Sequence, residues 1–142
     1  MNWRIDLPFR VFHAAACSAL LLSIGGCGYH EPFKYVKVQG KVTYEDGTVI
    51  PAQRLTVRFV SMTPASDPKM TPRPGDGVLD PKTGEFTRVT SHSAGDGILR
   101  GKHKVLILGG GDLVPAKYVR VETTPLEVDA KDSPFNFTIE KP

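Results

Sequence analysis

Cysteine is almost missing from this chain of 142 residues, which holds only Cys17 and Cys27. No Cys-x-x-Cys pair and no Cys/His set at short zinc-ligand spacing can be drawn, so zinc ribbons and dithiol redox centres are excluded. Tryptophan occurs once, as Trp3. No apolar run reaches the roughly 20 residues of a membrane-spanning helix. Sustained helical periodicity is absent too. The formal net charge is +3, and the lysines are scattered along the chain without forming a cluster. Nucleic-acid binding requires a concentrated basic footprint, usually with stacking aromatics or a known module, so no nucleic-acid partner is expected.

What the chain has at its amino terminus is an address. Arg4 and Arg10 precede an apolar stretch from Val11 to Ile24, 14 residues rich in Ala and Leu. That length fits the apolar region of a signal peptide, typically about 7–15 residues. Ile24-Gly25-Gly26-Cys27 then resembles a lipobox, in which an aliphatic and two small residues precede the cysteine. Small side chains let the backbone lie extended in a protease cleft, and the thiol accepts a diacylglyceryl group. The expectation is a signal peptide over 1–26, cleavage between Gly26 and Cys27, lipid attachment at Cys27 and a short tether over 27–34. Cys17 would leave with the signal, and an acylated Cys27 leaves no disulfide. Removing Arg4, Arg10 and Asp6 leaves 16 basic and 14 acidic residues, a net charge of +2. Gly28 follows the cysteine, which by resemblance to bacterial sorting rules favours the outer membrane. The expected location is the cell envelope, lipid-anchored to a membrane and facing the periplasm.

From residue 35 to 142 the pattern is that of short strands between turn residues; the 14 Gly and 12 Pro supply the punctuation. Tyr35–Tyr44 alternates, with Val36, Val38, Val42 and Tyr44 against Lys37, Gln39, Lys41 and Thr43, as a half-buried strand does. Asp46-Gly47 gives a turn. Leu55–Val60 alternates again. A loop is expected from Met62 to Gly77, because Pro64, Pro68, Pro72 and Pro74 cannot donate to a sheet ladder. Its length makes it either functional or mobile. Gly77–Asp80 and Glu85–Thr90 read as a hairpin around Pro81-Lys82-Thr83-Gly84. His103–Leu108 reads as a core strand closed by the flexible turn Gly109-Gly110-Gly111, and Tyr118–Val121, Leu126–Val128 and Phe135–Ile139 as further strands. About seven such strands imply an all-β, Greek-key β-sandwich.

Several of these segments resemble one family. Lys37-Val38-Gln39-Gly40-Lys41-Val42-Thr43-Tyr44, the Asp46-Gly47 turn, Leu55–Val60 and Gly84-Glu85-Phe86-Thr87 are similar to carboxypeptidase regulatory-like domains, also described as transthyretin-like. Gly95-Asp96-Gly97 with Gly101-Lys102-His103-Lys104-Val105 looks like the turn into a core strand of such domains. Pro115–Tyr118 and Thr123–Leu126 fit small envelope lipoproteins that carry the domain. The resemblance covers most of 36–141 and implies a seven-stranded prealbumin-like sandwich without intrinsic catalysis. His103 departs from it, since a Tyr or similar residue is expected there.

Candidate chemistry is thin. His30, His92 and His103 are widely separated, and no zinc-ligand pair is formed. Ser91-His92-Ser93 makes no nucleophile-base pair, because neighbours on a strand point to opposite faces. Asp76, Asp80 and Asp96 lie near glycines and could offer oxygens to Ca²⁺, but an EF-hand pattern is missing and turn chemistry accounts for them. Asn136-Phe137-Thr138 matches an N-glycosylation pattern within a predicted strand and reads as sheet. The tail of transthyretin-like hydrolases and the zinc ligands of the carboxypeptidase are both missing. The expectation is therefore no catalytic residue, no metal and no cofactor. The chain would be a lipid-anchored, non-catalytic module for protein interaction or envelope structure, presenting the 62–82 loop or its strand edges to another envelope component, a protein or a polysaccharide. The alternative is a carbohydrate- or small-ligand-binding module, for which Tyr29, Tyr35, Tyr44 and Tyr118 are the available aromatics.

Overall fold

The alternating stretches become strands that close over a core of phenylalanines. In the computed structural model, which describes residues 33–64 and 71–142, the strands are β1 (Tyr35–Val36), β2 (Gly40–Tyr44), β3 (Thr56–Ser61), β4 (Gly75–Val78), β5 (Glu85–Phe86), β6 (Val89–Thr90), β7 (Ile98–Leu99), β8 (Lys102–Leu108), β9 (Glu127–Asp129) and β10 (Phe135–Ile139). Three short 3-10 turns, Gly111–Leu113, Ala116–Val119 and Ala130–Asp132, are the only helical elements among the described residues. The protein is all-β. A five-stranded sheet runs β6-β4-β3-β8-β9, a three-stranded sheet runs β10-β2-β5, and β1 pairs with β7. All pairings are antiparallel except β10 with β2, which is parallel.

The two larger sheets bury facing sides. On β10, Phe135, Phe137 and Ile139 point inward while Asn136 and Thr138 stay exposed. On β3, Val57 and Phe59 turn inward and stand opposite Ile107 and Val105 of β8. Phe59 is the meeting point: its ring lies 5.9 Å from Phe86, 5.9 Å from Phe135 and 6.3 Å from Phe137, all of the opposite sheet. Rings at such separations add directional attraction to their apolar burial. His103 completes the cluster edge-on to Phe59 at 6.3 Å, with 1% of its surface exposed. It fills the place of an aromatic, and its Nδ1 lies 3.0 Å from the Gly101 carbonyl.

Several predicted boundaries shift. The predicted strand Tyr35–Tyr44 is divided: β1 joins β7, and β2 joins β10 and β5. The stretch 85–90 divides too, β5 pairing with β2 and β6 with β4. The predicted loop 62–77 ends early, because Gly75 already opens β4. Gly75 and Gly77 stand where a strand would carry inward side chains. A Cβ on Gly75 would meet Ile98 Cγ2 at 2.5 Å, and one on Gly77 would meet Val89 Cγ2 at 3.0 Å. Neighbouring side chains fill the space, so glycine disguises a strand as a loop.

Tyr118–Val121 is not a strand. Pro115, lacking an N–H, accepts from the Tyr118 amide at 2.9 Å and opens the 3-10 turn Ala116–Val119. Within the triple glycine, Gly110 is packed, since a Cβ on it would meet Val114 Cγ2 at 2.3 Å, while Gly111 is exposed and open.

Candidate functional site

The layers leave one side open. β9 is an outer strand of the five-stranded sheet and β10 an outer strand of the three-stranded one. A groove of about 340 Å3 runs between them, walled by residues 125–128 and 134–138. Ladder phase decides which backbone groups face it. The bonds Val105 N–H to Leu126 O and Ala130 N–H to Gly101 O, both 2.9 Å, turn Val128 toward β8. Glu127 and Asp129 therefore direct their backbone groups away from the sheet. On β10, Phe135 N–H donates to Gln39 O at 2.9 Å and Ile139 O accepts from Glu45 N–H at 3.0 Å. Asn136 and Thr138 thus present N–H and C=O away from β2. Phe135 and Phe137, 5% and 6% exposed, line the same groove. Two outer strands with outward amides over aromatic side chains are the ingredients of strand addition.

The 62–82 loop contracts to 62–74, because 75–82 form β4 and a turn. Residues 65–70 of it lie outside the described residues. Met62 and Val78 flank this stretch and, among the described residues, are the exposed large hydrophobics, at 45% and 56%. Cys27 and Gly26, with Tyr29 and His30, also lie outside the described residues. Among the described residues, no helix is long and apolar enough to cross a membrane.

The acids weighed as calcium ligands are each engaged elsewhere. Asp76 receives Arg58 through two bonds of 2.7 Å across β3 and β4. Asp80 accepts the amides of Lys82 and Thr83 within the turn. Asp96 accepts three amides, from Ser91, His92 and Ser93, at 2.8–2.9 Å. Burial opposes its ionisation, but those amides outweigh burial and hold the carboxyl below its ordinary range. Ser91 Oγ donates to Gly97 O at 2.7 Å, so Ser91-His92-Ser93 serves as a cradle for Asp96. No group of three His, Cys, Asp or Glu able to hold a metal occurs among the described residues. Burial lowers the His103 pKa, partly offset by the Gly101 carbonyl and by Asp129.

The aromatics weighed for sugar stacking divide. Tyr44 and Tyr118 are each 4% exposed, and their hydroxyls meet Leu113 O and Glu140 N–H. Tyr35 is half-buried and lies edge-on to Phe33, 6.5 Å away, and Tyr29 lies outside the described residues. The basic residues are scattered in sequence, but folding collects some of them. Lys34, Lys37, Arg88 and Arg100 gather around the β1–β7 pair, and all four are exposed. Nothing in their sequence spacing signals this.

The chain matches no protein-family model, no curated protein and no solved structure.

Proposed function

We propose that the chain is an exported bacterial lipoprotein, cut before Cys27 and anchored there by lipid. Its β domain then offers the open β9/β10 side to an extended segment of another envelope protein. The anchoring rests on Ile24-Gly25-Gly26-Cys27 placed directly after a signal-type apolar stretch. The binding mode rests on one observation above all: Glu127, Asn136 and Thr138 turn backbone groups outward along the walls of one groove. An incoming strand would gain main-chain hydrogen bonds from these groups and side-chain contacts from Phe135 and Phe137. The module needs no catalytic residue, metal or cofactor for this.

The finer fold follows the same reading. Counting β1 with β2, β5 with β6 and β7 with β8 as interrupted single strands reduces the ten to seven. Seven runs in two layers support a Greek-key, prealbumin-like sandwich of the carboxypeptidase regulatory-like kind.

A photo-crosslinking residue at position 136, in the native host, tests the binding mode. The expected result is one reproducible protein adduct that Thr138→Pro abolishes, since proline removes an outward N–H and leaves the β2 ladder intact. Adducts no more frequent than from position 82, or recovery of polysaccharide alone, would overturn it.

A further inference from the structure

The cations around β1 and β7 form a patch that the proposed edge groove does not use. Arg100 N–H donates to Lys34 O at 3.0 Å, which sets residues 34 and 100 side by side. Gly97 approaches β1 so closely that a Cβ on it would stand 2.8 Å from Lys37 N. Lys37 and Arg88 line one pocket of about 280 Å3, and a Cβ on Gly95 would lie 3.6 Å from Arg88 Nε. None of these four side chains makes an ion pair among the described residues. Residues 33–41 contain no acid, and residues 88–100 contain only Asp96, whose carboxylate is held by three amides.

We propose that this end of the domain rests on a membrane surface rich in anionic phospholipid, with Lys34, Lys37, Arg88 and Arg100 against the headgroups. The proposal builds on the lipid-anchored reading above. Six residue steps separate Cys27 from Phe33, and even fully extended they reach only about 20 Å. A lipid on Cys27 therefore keeps the start of the domain within about 2.5 screening lengths of the headgroups at physiological salt, even with the tether fully extended. The half-buried Phe33–Tyr35 pair adjoins the cations, and aromatic rings favour the membrane–water interface. Charge, tether length and aromatic placement all select the same occupant.

The test uses the full protein purified from membranes and reconstituted into vesicles of phosphatidylcholine alone or with about 30% phosphatidylglycerol. Lysines are acylated with a water-soluble reagent and each site is quantified by mass spectrometry. Lys34 and Lys37 should react severalfold more slowly on the anionic vesicles, and about 1 M salt should remove the difference. Lys82 and Lys141, beside the other end of β2, should react equally on both. The double variant Arg88→Gln/Arg100→Gln should weaken the protection, on the order of fivefold per cation removed. Its melting temperature should not change, because neither side chain makes an ion pair or hydrogen bond among the described residues. Equal acylation of Lys34 and Lys37 on both vesicles, with lipid present on Cys27, would overturn this proposal and leave the anchored reading standing. If Cys27 carries no lipid, the anchored reading fails. Cosedimentation of the unanchored protein with anionic but not neutral vesicles would then sustain the patch, and its absence would sink it.

Discussion

The two ends of β2 differ in how their charges are managed. Beyond Tyr44, two lysines have acidic partners, while Lys82 makes no ion pair among the described residues. Lys141 pairs with Asp46 and lies 5.4 Å from the Tyr44 ring centre, while Lys117 pairs with Glu140 and lies 5.1 Å from that of Tyr118. Ahead of Gly40, Lys34 and Lys37 face Arg88 and Arg100, and none of them has an ion-pair partner among the described residues. Exposed pairs contribute little to stability, so the matched end is not what holds the fold. The unmatched end is held by backbone geometry instead: Gly97 packed on β1 and the Asp96 carboxylate collecting three amides. A fold that builds a rigid platform under like charges is suited to a partner of opposite sign.

The platform can be broken directly. Gly97 adopts φ +97 and a Cβ there would stand 2.0 Å from Val36 O. Gly97→Val should therefore cost about 3 kcal/mol, from backbone strain plus displacement of β1. Urea unfolding measures this, and an unchanged midpoint would refute the role given to the β1–β7 contact. Asp96→Ala comes next, at about 2 kcal/mol, because three amides lose a charged acceptor. Its pH signature has a definite sign. The folded-state pKa is depressed, so the stabilisation is present above the ordinary Asp value of about 3.9 and is lost as pH falls through the folded value. Melting curves of the variant should lack that acid-side loss.

His103 gives a smaller effect at milder pH. Burial depresses its pKa, so the unfolded chain takes up a proton first. Stability is full above about 6.5, the unfolded value, and declines as pH drops below it. His103→Phe should remove that slope while forfeiting about 1 kcal/mol through the lost bond to Gly101 O. A slope that persists in the variant would place its origin elsewhere. Smallest of all is Lys141→Gln at the matched end, which should leave the melting temperature unchanged. A clear drop would show that ion pairs, and not packing, secure that end.

Legibility in the sequence follows side-chain patterning. Phe135–Ile139 alternates without interruption and forms β10 over those same residues. Leu55–Val60 and His103–Leu108 locate β3 and β8 to within a residue. The strand expected from Gly77 overlaps β4 and its pairing with β6, but β4 opens two residues earlier, because inward-facing Gly75 carries no apolar signal. The misreading of 118–121 arose from Tyr118 and Val121, β-formers held by Pro115 in a 3-10 turn and the bend after it. Strand edges as a class could be anticipated, but not which two would border one groove. The cationic patch joins residues 34 and 37 with 88 and 100, distant positions brought together by the β1–β7 pairing and by the bond from Gly97 N–H to Val89 O.

Lipid on Cys27 is the premise that the two proposed surfaces share. Mass spectrometry of the amino-terminal peptide of protein extracted from native membranes tests that most directly. The account predicts a chain that begins at Cys27 and carries a diacylglyceryl group on its sulfur. A chain that begins elsewhere, or an unmodified Cys27 within a chain that keeps residues 1–26, would contradict it.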